Sequence, residues 1–101
     1  MNPKTRQLIT RMMNLCIEIN QETECRASFE MFPLIIVISL KDSKDLYKGQ
    51  RLYSEIISIS GDNFEQSVME DDCDKFISYA LKLIKEQNPV HYKHIKDQYN
   101  A

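Results

Sequence analysis

The sequence predicts an α+β fold, in which a three-stranded antiparallel sheet is flanked by an N-terminal and a C-terminal helix. The first observation is the run FEMFPLIIVISL over residues 29–40, which is apolar at most positions and rich in isoleucine and valine. Such a run favours a strand that is covered on both faces. The second observation is that apolar residues recur at helical spacing before and after it. The predicted order is αβββα, with an optional short C-terminal helix.

Length and composition define the class of protein. The chain has 101 residues, of which 43% are hydrophobic and 28% are charged, as in an ordinary globular protein, and we expect one domain over residues 1–101. The net charge of −2 argues against a general nucleic-acid binder. Three cysteines without CxxC spacing indicate a reduced, cytoplasmic protein. The apolar run is too short to cross a membrane, and the N-terminus lacks the apolar segment of a signal peptide.

The first predicted helix covers residues 3–21, because Leu8, Met12, Leu15 and Ile19 recur on one face. Neighbouring apolar residues, Ile9, Met13 and Cys16, widen the same stripe.

Three strands follow, over residues 25–32, 35–41 and 51–60, with a tight turn at 33–34. Strands that are consecutive in the chain usually pair as neighbours, so the second strand is predicted at the centre of the sheet. The loop over residues 41–50 is longer than most connections. Its Leu46 and Tyr47 are either a tether to the body of the protein or an exposed contact, and the tether is favoured.

The last long helix begins at residues 62–63 and ends before Pro89, since proline disfavours a helical residue before it. Its apolar stripe comprises Phe64, Val68, Met69, Cys73, Phe76, Ile77, Ala80, Leu81 and Ile84. Residues 90–101 form either a short docked helix or a flexible tail.

An apolar face of the sheet is the first candidate binding surface. Two helices normally pack on one face of a three-stranded sheet, yet the central strand offers apolar side chains to both faces. We expect Ile35 and Val37, or the residues that alternate with them, to point away from the helices, with Phe32 or Tyr53 extending the patch. Exposed apolar patches usually mark interaction sites, here with a partner protein or a second copy. The alternative is that the loop or the tail covers this face.

The second candidate is the acidic run Glu70, Asp71, Asp72 and Asp74 in the first half of the last helix. The favoured interpretation is structural, because acids near a helix N-terminus suit its dipole. The functional alternative is an anionic surface that is complementary to a basic groove of a nucleic-acid-handling protein.

Residues for catalysis or for cofactor binding are scarce. Two glycines cannot build a phosphate-binding loop, and Cys16 and Cys73 lie on the core stripes of the helices. A zinc site from Cys25, Cys73, His91 and His94 matches no known ligand spacing. We therefore expect no enzyme activity, no metal and no cofactor.

The order of elements resembles small αβββα proteins encoded by bacteriophages and other mobile elements. The resemblance spans about residues 8–84 and rests on LITRMMNLCIEINQET, SFEMF, a short turn, IIVISL, YSEIISI and an acid-led closing helix. Some proteins of this build are anti-CRISPR inhibitors, which block an RNA-guided nuclease by mimicking DNA phosphates or by occluding a surface. The resemblance implies that Glu70, Asp71, Asp72 and Asp74 would be the phosphate mimic.

The expected function is therefore a non-enzymatic protein that binds and inhibits a bacterial host protein, with a CRISPR effector nuclease as the implied target. The first alternative is a homo-oligomeric accessory protein, a dimer for example, that uses the open sheet face. The second alternative is a nucleic-acid binder that uses the basic residues at both ends of the chain: Lys4, Arg6, Arg11, Lys82, Lys85, Lys93 and Lys96, with Tyr92 and Tyr99.

Overall fold

The computed structural model describes residues 3–59 and 63–99. For residues 63–65 it describes the helical backbone only. Its elements are α1 (Pro3–Glu22), β1 (Arg26–Met31), β2 (Ile35–Lys41), β3 (Arg51–Ser58), α2 (Asn63–Gln87) and α3 (Pro89–Tyr99). The predicted α+β class and the αβββα order are confirmed. The third strand ends at Ser58, and residue 60, where its end was predicted, lies outside the described residues.

The three strands form one antiparallel sheet in the order β1-β2-β3, so β2 is central, as predicted. Pro33 and Leu34 connect β1 to β2, and the Phe32 N–H donates to the Ile35 carbonyl oxygen at 2.8 Å. Proline is suited to this turn because it has no N–H to give to the ladder. The pairing of β2 with β3 shifts at Leu40 and Lys41, where Leu52 is the extra residue of a bulge.

Side chains of the central strand alternate between two faces of the sheet. Ile36, Ile38 and Leu40 are completely buried, whereas Ile35 and Val37 between them are only partly buried. In a strand, successive side chains point to opposite faces, so the even-numbered residues of β2 face the helices. The odd-numbered residues therefore define the open face.

The helix layer consists of α1 and α2, which run parallel to each other. In their N-terminal halves the Lys4 ammonium lies 3.1 Å from the Glu70 carboxylate. Near their ends the Asn88 side chain donates to the Glu22 carbonyl oxygen at 3.1 Å. Most of the predicted stripe residues are buried between these helices and the sheet, but Met13 and Val68 are 44% and 46% exposed.

Side-chain amides hold the turn between α1 and β1. Asn20 accepts a hydrogen bond from the Ala27 N–H at 2.8 Å and donates to the Ala27 carbonyl at 3.0 Å. Gln87, at the end of α2, accepts from the Glu24 N–H at 3.1 Å and donates to the Cys25 sulfur at 3.0 Å. These bonds tie the start of the sheet to both helices.

The C-terminal segment is a docked helix, the first of the two alternatives for residues 90–101, with residues 100–101 outside the described part of the chain. The Asn88 N–H donates to the Ile84 carbonyl at 2.7 Å and ends α2, while its side-chain oxygen accepts from the His91 N–H at 3.2 Å and caps α3. Ile95 and Tyr99 are buried, and His91 hydrogen-bonds Glu18 of α1. The helix therefore packs on the other helices and leaves the open sheet face uncovered.

The loop between β2 and β3 is closed at its base, where the Asp42 N–H donates to the Gln50 carbonyl at 3.1 Å and Asp42 Oδ1 accepts from the Gln50 N–H at 2.6 Å. Gly49 has a φ of 92°, and a Cβ there would lie 2.6 Å from Asp42 Oδ1. Leu46 and Tyr47 are 63% and 95% exposed, so the favoured tether interpretation is wrong. The base of the loop is fixed through the backbone and Asp42, so these two side chains are not needed to hold it.

Adjacent isoleucines of β3 give a matched test of the face assignment. Ile57 is fully buried and Ile56 is 66% exposed. We expect Ile57→Ala to lower the free energy of unfolding by about 2–5 kcal/mol and Ile56→Ala by less than about 1 kcal/mol, as measured by urea denaturation. Equal losses in the two variants would contradict the assignment.

Removal of the Asn88 side chain should destabilise the protein, because it caps α3 and donates to the end of α1. Asn88→Ala is expected to lower the free energy of unfolding by about 1–3 kcal/mol. Asn88→Ser keeps an oxygen for the His91 N–H but loses the donor to Glu22, so its loss should be intermediate. Thermal and urea unfolding measure both, and an Ala variant as stable as the wild type would contradict the double role.

Candidate functional site

The open face of the sheet is organised in rows across the strands. The register places Arg26, Lys41 and Arg51 in a cationic row at one end and Ser28, Ser39 and Ser54 in a hydroxyl row at the centre. The next row contains Glu30, Val37 and Ile56. Polarity therefore falls along the face, from charged side chains at the loop end to apolar ones at the Pro33–Leu34 turn.

An apolar strip occupies the turn end of this face and comprises Phe32, Ile35, Val37 and Ile56. Val37 pairs with Ile56, and Phe32 bonds to Ile35 across the turn, so these side chains are cross-strand or diagonal neighbours. Ile56 is 66% exposed and Phe32 46% exposed. Of the two alternating sets that could point away from the helices, Ile35 and Val37 are therefore the one that does, and Phe32 extends the patch.

Tyr53 does not belong to this strip, so the expectation that it could extend the patch is wrong. Tyr53 pairs with the buried Leu40 and lies on the helix side of the sheet. Its ring packs against Phe76 and Tyr79 of α2, with centroid distances of 5.5 and 5.2 Å. The physical reason is register, because the odd-numbered residues of β3 share the face of the even-numbered residues of β2.

The Tyr53 hydroxyl has an internal partner, since it donates to the carboxylate of Glu55 on the same face. Burial raises the pKa of Tyr53 well above its ordinary value, and the hydrogen bond to Glu55 raises that pKa further. The tyrosine therefore stays protonated and serves as the hydrogen-bond donor to a half-buried carboxylate.

The acidic run does not form one continuous anionic surface. Glu70 is neutralised by Lys4 and also accepts from Gln66 at 3.4 Å. The hydrogen bond from Lys4, followed by that from Gln66, lowers the pKa of Glu70. Asp72 is half-buried near Tyr53, whereas Asp71 and Asp74 are exposed and make no ion pair with a described residue.

A groove beside α2 brings three of the predicted site residues together. It has a volume of about 740 Å³. Its lining consists of Tyr53, Asp71, Asp74, Lys75, Ser78, Tyr79 and Lys82. Three predicted residues, Tyr53, Asp71 and Asp74, therefore meet here, while Ile35 and Val37 lie on the opposite face of the sheet and Glu70 turns toward α1.

Sequence reasoning missed three lining residues of this groove, Lys75, Ser78 and Tyr79, and it named Lys82 only as a basic residue of a nucleic-acid binder. Residues three and four apart on a helix share a face, and 71, 75, 78 and 82 follow that spacing. The polar stripe could therefore have been predicted from the sequence. Its position beside β3 could not have been predicted, because that position depends on which face of β3 turns toward α2.

The cysteines and histidines do not assemble a reactive centre. Cys16, Cys25 and Cys73 are all buried and free, and burial raises the pKa of Cys16 and of Cys73 to about 12. Glu18 and Glu22 on α1 flank His91. Within residues 3–59 and 63–99, no three His, Cys, Asp or Glu side chains lie close enough together to hold a metal ion.

Comparison with protein-family models, with curated proteins and with solved structures gives no match. The helices of the described residues include none that is long and apolar enough to cross a membrane. The two surfaces must therefore be interpreted from their own chemistry.

Thiol chemistry checks the burial of the three cysteines. The thiolate is the reactive form, so a pKa raised from about 8.5 to about 12 keeps Cys16 and Cys73 protonated and inert at pH 8. We expect the native protein to react slowly with Ellman's reagent and the guanidinium-unfolded protein to release three equivalents rapidly. Rapid stoichiometric labelling of the native protein would contradict this burial.

Proposed function

We propose that this protein is a non-enzymatic binding protein of bacteriophage or mobile-element origin that inhibits a bacterial host protein by covering one of its surfaces. The target that the resemblance implies is a CRISPR effector nuclease. The observation that carries the proposal is the apolar strip, which nothing in the described part of the chain covers.

Physical chemistry supports a binding role for the strip. When a partner removes neighbouring apolar groups from water, the free energy falls by roughly 25 cal/mol per Å² of apolar surface that is buried. The serine and cationic rows give the strip a polar border on the side of the loop, and an apolar centre with polar residues at its border is the usual composition of a protein interface.

The acidic run contributes less to this proposal than the strip does. Because Glu70 is paired with Lys4 and Asp72 is half-buried, only Asp71 and Asp74 offer unpaired, exposed carboxylates to a partner. Two carboxylates beside Lys75 and Lys82 make a poor copy of a phosphate backbone. Occlusion by the apolar strip is therefore favoured over DNA mimicry.

The test is inhibition of target-DNA cleavage by purified RNA-guided nucleases, together with direct binding measured by calorimetry. Wild-type protein is expected to bind and inhibit an effector, and Phe32→Glu should weaken both by about tenfold or more, since it places a charge in the apolar strip that the partner would cover. Tyr47→Glu is the matched control, because it makes the same kind of change at a 95% exposed loop residue away from the strip.

Two results would contradict the proposal. Failure of the wild type to bind any effector tested would remove the nuclease as the target. Equal inhibition by Phe32→Glu and the wild type would remove the strip as the surface that acts. Circular dichroism of each variant separates loss of binding from loss of fold.

A homo-oligomer is the second candidate, and the same strip favours it, because two sheets can stack face to face and bury their apolar residues about 10 Å apart. Light scattering after size exclusion distinguishes the two. A wild-type dimer that becomes a monomer in Phe32→Glu, without effector binding, would support the accessory homo-oligomer instead.

A further inference from the structure

The outer edge of β3 offers backbone hydrogen-bonding groups that the sheet does not use. The Ile59 N–H donates to the Leu34 carbonyl at 3.0 Å, which shows that the odd-numbered residues of β3 bond to β2. In an antiparallel pair these bonds alternate along the strand, so the N–H and C=O groups of Ser54 and Ile56 point outward. Neither residue bonds to a described residue through these groups.

The opposite edge of the sheet differs, because Asn20 covers the beginning of it. Both hydrogen bonds of the Asn20 side chain go to the Ala27 backbone on the outer side of β1. An edge strand with unpaired backbone groups is a template for another strand. Asn20 therefore covers the beginning of the β1 edge, whereas no described residue bonds to the outward backbone groups of Ser54 and Ile56 on the β3 edge.

The groove beside α2 adjoins this open edge. Tyr53, which precedes Ser54 in β3, forms part of its lining, and α2 provides the rest. An extended segment that paired with Ser54 and Ile56 would place every second side chain in the groove. The arrangement of a free strand edge beside a helix is the one used for recognition of peptides by strand addition.

Charge is ordered along the groove. Asp71 and Asp74 lie toward the beginning of α2, with Lys75 beside them, so this end of the groove carries one net negative charge. Lys82 lies 11 residues after Asp71, which in a helix is a distance of roughly 16 Å. Tyr79, with Tyr53 beside it, lies between these ends. Asp71, Asp74 and Lys82 make no ion pair with a described residue, so each is available to a partner.

The chain direction fixes the polarity of a partner. Only residues 59–62 separate β3 from α2, and Tyr53 packs on Phe76 and Tyr79, so the strand and the helix run in opposite directions. A strand that pairs antiparallel with β3 therefore starts at the acidic end of the groove and finishes at Lys82. Side chains four residues apart in a strand are about 13 Å apart, which fits the span of the charges.

We propose that the groove between β3 and α2 binds an extended peptide segment, which adds antiparallel to β3. Its groove-facing residues are a basic side chain at Asp71 and Asp74, then an aromatic or aliphatic side chain against Tyr53 and Tyr79, then an acidic side chain at Lys82. This site is separate from the apolar strip, and it would bind a second partner whose chemistry is set by the groove.

The test uses two labelled peptides of identical composition, and fluorescence anisotropy measures their affinity for the full chain. The first is Thr-Lys-Thr-Tyr-Thr-Glu-Thr, and in the second the lysine and the glutamate are exchanged. We expect the lysine-first peptide to bind at least about tenfold more tightly, since its charges match the groove and those of the second peptide oppose it.

A variant with exchanged charges in the groove tests whether these charges set the peptide preference. The triple variant Asp71→Lys, Asp74→Lys and Lys82→Glu should reverse the preference, so that the glutamate-first peptide binds more tightly. An unfolded variant cannot produce such a reversal. Equal affinity of the two peptides, no binding of either at about 1 mM, or an unchanged preference in the variant would each overturn the proposal.

The role of the strand edge has its own variant, Ser54→Pro. Proline removes an outward N–H without removing a ladder bond, so the fold is retained while peptide binding is expected to fall by about tenfold. A folded variant with unchanged binding would overturn strand addition. Phe32→Glu should leave peptide binding unchanged, which keeps this test independent of the apolar strip.

Discussion

The structure depends on one constraint, which is that α1 and α2 cover a single face of a three-stranded sheet. Burial of Ile36, Ile38 and Leu40 under these helices commits the other half of the β2 side chains to the opposite face. A shift of one residue in the register would exchange the two sets and expose the three buried residues. The apolar strip is therefore a direct consequence of how the core is built.

Strand β3 shows how one element can serve both proposed surfaces. Its Ile56 side chain belongs to the strip, its Tyr53 side chain lines the groove, and its outer backbone groups form the open edge. These three features point in three directions from a single strand. The two proposed surfaces are therefore distinct, although one strand contributes to both.

Much of the fold was predictable from the sequence because it depends on local patterns. The first helix, the proline turn and the central strand were located within a residue or two of their observed ends. The side of the sheet that Tyr53 occupies was not predictable, because it depends on the register between strands. The docking of α3 could not be predicted from the sequence either, since Asn88 and His91 bond to residues of α1 that are more than 60 positions away in the chain.

The parallel arrangement of α1 and α2 has a consequence for the order of folding. The contacts that join these helices, Thr5 with Gln66 and Glu22 with Asn88, close loops of 61 and 66 residues. The strand pairs, by contrast, form between neighbours in the chain, and closure of a long loop costs more entropy than closure of a short one. We therefore expect the meander to form first and the joining of the helices to be the late step that completes the native state.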